Sequence, residues 1–149
     1  MPPTHPEQMI IAIDPGASGG IAWRKSANAV IDSSKMSWEV LLGLLMEDPA
    51  PRVLMEKQQG TGRRSDFSFG VHYGALIAAV ELLGNAEPEL VRPQVWQSAY
   101  DCPRGMSYSE RKTYFKGIAQ ERFPGQRPTL ATADALLILQ WALDKEARA

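Results

Sequence analysis

Three carboxylates stand out by what surrounds them. Asp14 closes the apolar run Met9-Ile10-Ile11-Ala12-Ile13, Glu56 closes Val53-Leu54-Met55, and Asp134 precedes Ala135-Leu136-Leu137-Ile138-Leu139. A carboxylate at the end of a buried strand must find a cation, a donor or a proton, because burial penalises its charge. Each has an ordinary explanation when taken alone. Asp14 caps an Asp-Pro-Gly turn, Glu56 pairs with Lys57 or an arginine at the surface, and Asp134 favours the positive end of a helix. Brought together from such distant positions, the three repel one another unless a cation sits between them. All-oxygen donors suit Mg²⁺ or Mn²⁺, and such a centre activates water for phosphodiester hydrolysis, in its two-metal form stabilising the leaving oxygen as well. The single Cys102 forms no internal disulfide and has no evident base partner, and no Cys/His spacing suggests zinc.

The elements that position these carboxylates follow from the apolar pattern. Residues 9–13 are too few for a helix and rich in Ile, so they read as a buried strand, with 19–25 returning on it as a hairpin and 29–33 as a weaker third strand. Ser37 caps a helix over 37–46 with its stripe at Val40, Leu41, Leu44 and Leu45, and Pro49 and Pro51 end it. Residues 52–57 form the next strand. Strand, helix, strand makes a parallel crossover, which lays Val53-Leu54-Met55 beside the first strand and brings Asp14 and Glu56 to one end of the sheet. A polar loop over 58–67 leads into an apolar helix that ends at Gly84 and carries the small residues Gly70, Gly74, Ala75, Ala78 and Ala79. Residues 89–91 read as a strand and Pro93 opens a short helix. Ser107-Tyr108-Ser109-Glu110 matches a capping box for a helix to about Arg122, and 131–147 forms the last helix.

Composition sets the outer limits. At 149 residues, 44% hydrophobic and 22% charged, the chain is expected to form one globular domain over 9–149 behind a flexible tail at 1–8. No apolar run approaches a membrane span and the first residues lack a signal-peptide core, so a cytoplasmic protein with no membrane partner is expected. A net charge of −1 means that any nucleic-acid site is a local basic patch.

Asp14-Pro15-Gly16 with Ser18-Gly19-Gly20, Met55-Glu56, and Ala133-Asp134-Ala135-Leu136-Leu137-Ile138 together resemble the RuvC-type Holliday-junction resolvases, particularly their short bacteriophage-like branch, in the ribonuclease H-like superfamily. Phe67-Ser68-Phe69-Gly70 with Gly74, and Arg92-Pro93-Gln94-Val95-Trp96, fit the same layout, and the likeness runs from about Met9 to Leu143. The resemblance implies an α/β ribonuclease H-like fold, with a five-stranded mixed sheet in the order 3-2-1-4-5 flanked by helices. It implies a homodimer that nicks two strands of four-way or branched DNA with Mg²⁺ (or Mn²⁺), and Asp14, Glu56 and Asp134 as catalytic metal ligands. One position departs from the pattern. The family's fourth metal-site residue, acidic or His, falls one helical turn before Asp134, where this chain has Ala131. Asp32 and Glu81 are candidates to fill in.

The DNA-facing candidates are Lys57, Arg63, Arg64 and Phe67 around the loop after the Glu56 strand, where arginines meet phosphates and an aromatic ring stacks on a base. Arg104, Arg111, Lys112 and Lys116 form a second basic group, with Lys112 and Lys116 on one helix face as a phosphate rail or an ordinary solvated face. Phe69, His72, Trp96 and Trp141 read as core residues. The apolar helix from Phe69 to Leu83 is the element expected at a dimer interface. Three functions compete. One is a metal-dependent junction nuclease. The second is a junction-binding protein impaired by Ala131. The third is an actin-like or sugar-kinase-type nucleotide-binding domain, suggested by Asp-x-Gly before Ser18-Gly19-Gly20, but without a second phosphate loop.

Overall fold

A computed structural model describes residues 6–58 and 65–149. Its elements run β1 (Ile10–Asp14), β2 (Gly20–Arg24), β3 (Ile31–Lys35), α1 (Trp38–Glu47), β4 (Arg52–Glu56), α2 (Ser65–Leu83), β5 (Glu89–Val91), α3 (Pro93–Gln97), α4 (Tyr108–Arg122) and α5 (Ala133–Ala147). The sheet order is β3-β2-β1-β4-β5, as the resemblance implied. Strands β1, β2 and β3 form an antiparallel meander, and β4 and β5 continue the sheet parallel to β1.

Strand alternation divides the core between two faces. Ile11, Ile13, Ile21, Val53 and Met55 face one side and pack with Leu41 and Leu45 of α1 and Leu76 and Val80 of α2. Ile10, Ala12, Ala22 and Leu54 face the other side and pack with Trp96, Phe115 and the apolar body of α5. Helix α5 lies across β1 and β2 and against α4. Its first seven residues, 133–139, are all buried. A helix buried on every side must be apolar on every side, which isolates Asp134 as its one buried charge.

Some boundaries differ from the sequence expectation. Strand β3 starts at Ile31 rather than residue 29, because Ala29 N donates to Ser26 O (3.1 Å) and extends the turn. Helix α5 starts at Ala133 rather than 131. The preceding turn is closed by Thr129 N on Thr132 Oγ1 (3.0 Å) and Thr132 N on Thr129 Oγ1 (3.3 Å). In the segment expected to be a tail, Pro6 O accepts from Ala27 N (2.9 Å) and Gln8 Nε2 donates to Ala50 O (2.8 Å), so residues 6–8 are pinned. Residues 1–5 lie outside the described residues.

Helix α2 corrects one expectation. Residues 66–83 have a mean hydropathy of 1.2 over 18 residues, so by length and composition one stretch is sufficient to cross a bilayer. Leu76 and Val80 are fully buried against the sheet, while Phe67, Val71, Gly74, Ala75, Ala78 and Leu82 form an exposed apolar stripe at helical spacing.

Candidate active site

The turn after β1 builds the floor of the site. Gly19 N donates to Gly16 O (3.0 Å), and Gly16 holds φ +111°, a conformation that glycine adopts without a Cβ penalty. A Cβ on Gly19 would lie 2.0 Å from Asp14 O, and one on Gly20 would lie 2.3 Å from Ala131 O. The Gly-Gly pair therefore lets the turn close on Asp14 and lets the start of α5 come down on β2.

Register then aligns two carboxylates. Ile13 pairs with Met55 across parallel strands, so Asp14 and Glu56 follow as neighbours at the C-terminal ends of β1 and β4. Each stands two residues beyond a side chain of the α5-facing core, Ala12 and Leu54 respectively, and so points to the same side. Asp134 enters from the first turn of α5. One oxygen from each of Asp14, Glu56 and Asp134 lies within 4.8 Å of the other two, and all three residues are buried. The cleft above them has a volume of about 590 Å³ and is lined also by Gln58, Phe69, Gln94, Gln97, Arg111 and Lys112.

The electrostatics are those of a site that needs a cation. Burial, followed by repulsion from Asp134 and Glu56, outweighs the pull of Lys112 and holds the Asp14 carboxyl well above its ordinary range. Glu56 is also raised, chiefly by burial, although the Trp96 hydrogen bond lowers it. Lys112 Nζ donates to Asp134 Oδ2 (2.8 Å) and stands 3.6 Å from Asp14 Oδ2. Burial would depress the ammonium, but Asp134 and Asp14 together push it above the ordinary lysine value. Asp134 Oδ1 is buried without a hydrogen-bond partner among the described residues, an expensive arrangement for a carboxylate oxygen. Three buried carboxylates, one orphaned oxygen and an all-oxygen donor set fit Mg²⁺ or Mn²⁺.

Other candidates are placed differently from one another. Lys112 does not belong to a solvated phosphate rail: it is drawn into the carboxylate centre, because two buried anions attract it more strongly than solvent does. Lys116 is half-buried one turn further along α4, and neither it nor the exposed Arg104 lines the cleft. Lys57 is exposed, with its backbone N on Val91 O (2.7 Å) at the rim where β4 ends. Phe67 is 83% exposed in the first turn of α2. Arg63 and Arg64 lie outside the described residues. Phe69 is half-buried, stacks on Tyr73 and lines the cleft, so it is only in part a core residue. Asp32 and Glu81 do not join the carboxylate group: Asp32 pairs in β3 opposite Trp23, and Glu81 is exposed on α2.

Residue-type reasoning missed two partners of Glu56. Trp96 is fully buried, as a core residue should be, yet its Nε1–H donates to Glu56 Oε2 at 2.7 Å. Gln58 Nε2 donates to Glu56 Oε1 at 2.9 Å. The available signal was the requirement that a buried indole N–H find an acceptor, with Glu56 the nearest buried carboxylate.

Neither a protein-family model nor a curated protein sequence matches the chain. Solved structures do. Thermus thermophilus RuvC, on its own and in complex with a Holliday junction substrate, aligns with a TM-score of 0.53 over 88% of this chain and 90% of that one, at 18% identity. The chain has the ribonuclease H-like fold of RuvC. In this RuvC-like fold the carboxylates occupy the end of the two central parallel strands, where α5 meets the sheet.

Proposed function

We propose that the protein is a Holliday-junction resolvase, a metal-dependent endonuclease that nicks four-way or branched DNA. The observation that carries this reading is the convergence of buried Asp14, Glu56 and Asp134 on a RuvC-like fold, with Asp134 Oδ1 unpartnered among the described residues. Asp14, Glu56 and Asp134 would hold Mg²⁺ or Mn²⁺, which supplies an activated water and charge stabilisation at the scissile phosphate. The chain's own side chains do the rest. Trp96 and Gln58 fix the Glu56 carboxylate, and Lys112 and Arg111 place positive charge beside the cleft. Lys57 and Phe67 lie on DNA-facing elements in this reading, with Arg63, Arg64, Arg104 and Lys116 as further phosphate contacts.

The exposed stripe of α2 supports a homodimer in which small residues let two copies of the helix approach closely. The same stripe accounts for the apolarity of α2 without a membrane, consistent with a cytoplasmic enzyme.

The test is a comparison of synthetic four-way junction, flap and linear duplex DNA, each with and without Mg²⁺ or Mn²⁺. Paired nicks on the junction that require metal are expected. Activity that survives Asp14→Asn or chelation overturns the proposal. Ala131 favours a second reading, junction binding with impaired cleavage, because the family resemblance puts the fourth metal-site residue at this position and alanine has no donor atom. Tight binding without cleavage, rescued by Ala131→Asp, would select that reading.

A further inference from the structure

Hydrogen bonds to Glu56 and Asp134 and an ion pair to Asp14 already engage every carboxylate in the centre. Glu56 accepts from Trp96 on Oε2 and from Gln58 on Oε1. Asp134 Oδ2 accepts from Lys112, and Asp14 Oδ2 is 3.6 Å from the same ammonium. One oxygen from each residue lies within 4.8 Å of the other two, and Asp134 Oδ1 has no hydrogen-bond partner among the described residues. An octahedral Mg²⁺ or Mn²⁺ holds its oxygens at about 2.1 Å, so its ligands lie roughly 3–4 Å apart. Three such oxygens enclose one ion after a small side-chain adjustment.

A second ion about 3.5–4 Å away would need a bridging carboxylate and further donors beyond it. One oxygen that could bridge, Asp134 Oδ2, already accepts from Lys112 Nζ at 2.8 Å, and Asp14 Oδ2 stands 3.6 Å from the same ammonium. Among the described residues no fourth carboxylate joins the group. Positive charge is nevertheless present, because Lys112 Nζ sits between Asp14 and Asp134. Three carboxylates and one ammonium leave two negative charges, the amount that one divalent ion balances.

We propose that the Asp14–Glu56–Asp134 centre takes one divalent cation and that the Lys112 ammonium holds the place of a second. This rests on reading the centre as a metal site and replaces the two-metal expectation. The second positive charge facing a bound phosphodiester is then a hydrogen-bond donor that ligates no water.

The test titrates Mn²⁺ into the full-length protein and follows the loss of the free aqueous Mn²⁺ signal by electron paramagnetic resonance. Wild type and Lys112→Arg are expected to bind one ion per chain. Lys112→Gln, which keeps a hydrogen-bond donor without the charge, is expected to bind two, with spectral broadening from Mn–Mn coupling. Lys112→Met provides a second neutral variant should Lys112→Gln fail to fold, and circular dichroism checks both. Two ions in the wild type, or one in the folded neutral variants, overturns the proposal. Absence of any Mn²⁺ binding by the wild type instead defeats the metal-site reading beneath it.

Discussion

Removing a carboxylate from the centre should stabilise the metal-free protein. Asp14 is 6% exposed and faces Asp134 and Glu56, with Lys112 as its one attracting cation among the described residues. Two unit charges about 4 Å apart interact by roughly 4 kcal/mol at an effective dielectric of 20. Two repulsions plus desolvation against one attraction leave a net penalty, which is why the folded-state pKa is raised. One uncompensated repulsion leaves with the charge, and Asp14→Asn should therefore gain up to about 4 kcal/mol at neutral pH. A raised carboxylate pKa means that stability is present below the unfolded value of about 3.9 and is lost as pH rises through the folded value. Wild type and variant should thus converge near pH 3 and separate above it. Urea denaturation in a chelator, repeated across pH, measures the difference. Saturating Mg²⁺ should then reverse the order, since only the wild type keeps the full ligand set, and a ligand at a hundredfold its Kd adds about 2.7 kcal/mol. A variant less stable than wild type without metal at pH 7, or equally stabilised by Mg²⁺, would refute the reasoning.

Trp96→Phe keeps a ring in the core but removes the donor to Glu56. A hydrogen bond to a charged group contributes about 1.5–3 kcal/mol, so urea denaturation should show at least that loss, with weaker Mn²⁺ binding in the same titration used for Lys112. Gly20→Ala places a Cβ 2.3 Å from the Ala131 carbonyl, and backbone on both sides leaves little room to yield. A loss of about 2–4 kcal/mol is expected by analogy with overpacked cores, seen as a lower Tm. Val71→Asp with Leu82→Asp puts charge on the exposed stripe of α2, at 61% and 79% exposure. If two copies meet there, sedimentation should change from dimer to monomer, with the monomer's own stability altered by less than about 0.5 kcal/mol per site.

What the sequence makes legible here is whatever local chemistry fixes. That the strand at 52–57 lies parallel beside the one at 9–13 follows from the helical crossover between them, and their register alone brings Asp14 and Glu56 together, whereas the full order 3-2-1-4-5 comes only with the family resemblance. The capping box at Ser107 and Glu110 is present as its pattern demands, because both halves of that motif lie within one turn. The start of α5 is less legible, since a reciprocal Thr129–Thr132 turn competes with the helix and no side-chain periodicity reveals it. Least legible is Lys112. Its spacing to Lys116 describes one face of α4, and nothing local distinguishes a solvated lysine from one aimed at a carboxylate 22 positions away. Only the packing of α4 on α5 decides that. The charge of this site is therefore written in two layers. The carboxylates are marked by apolar neighbours in sequence, which make an ionised group conspicuous. Their cation is marked by nothing but tertiary structure, because a lysine is unremarkable on any helix until the fold turns it inward.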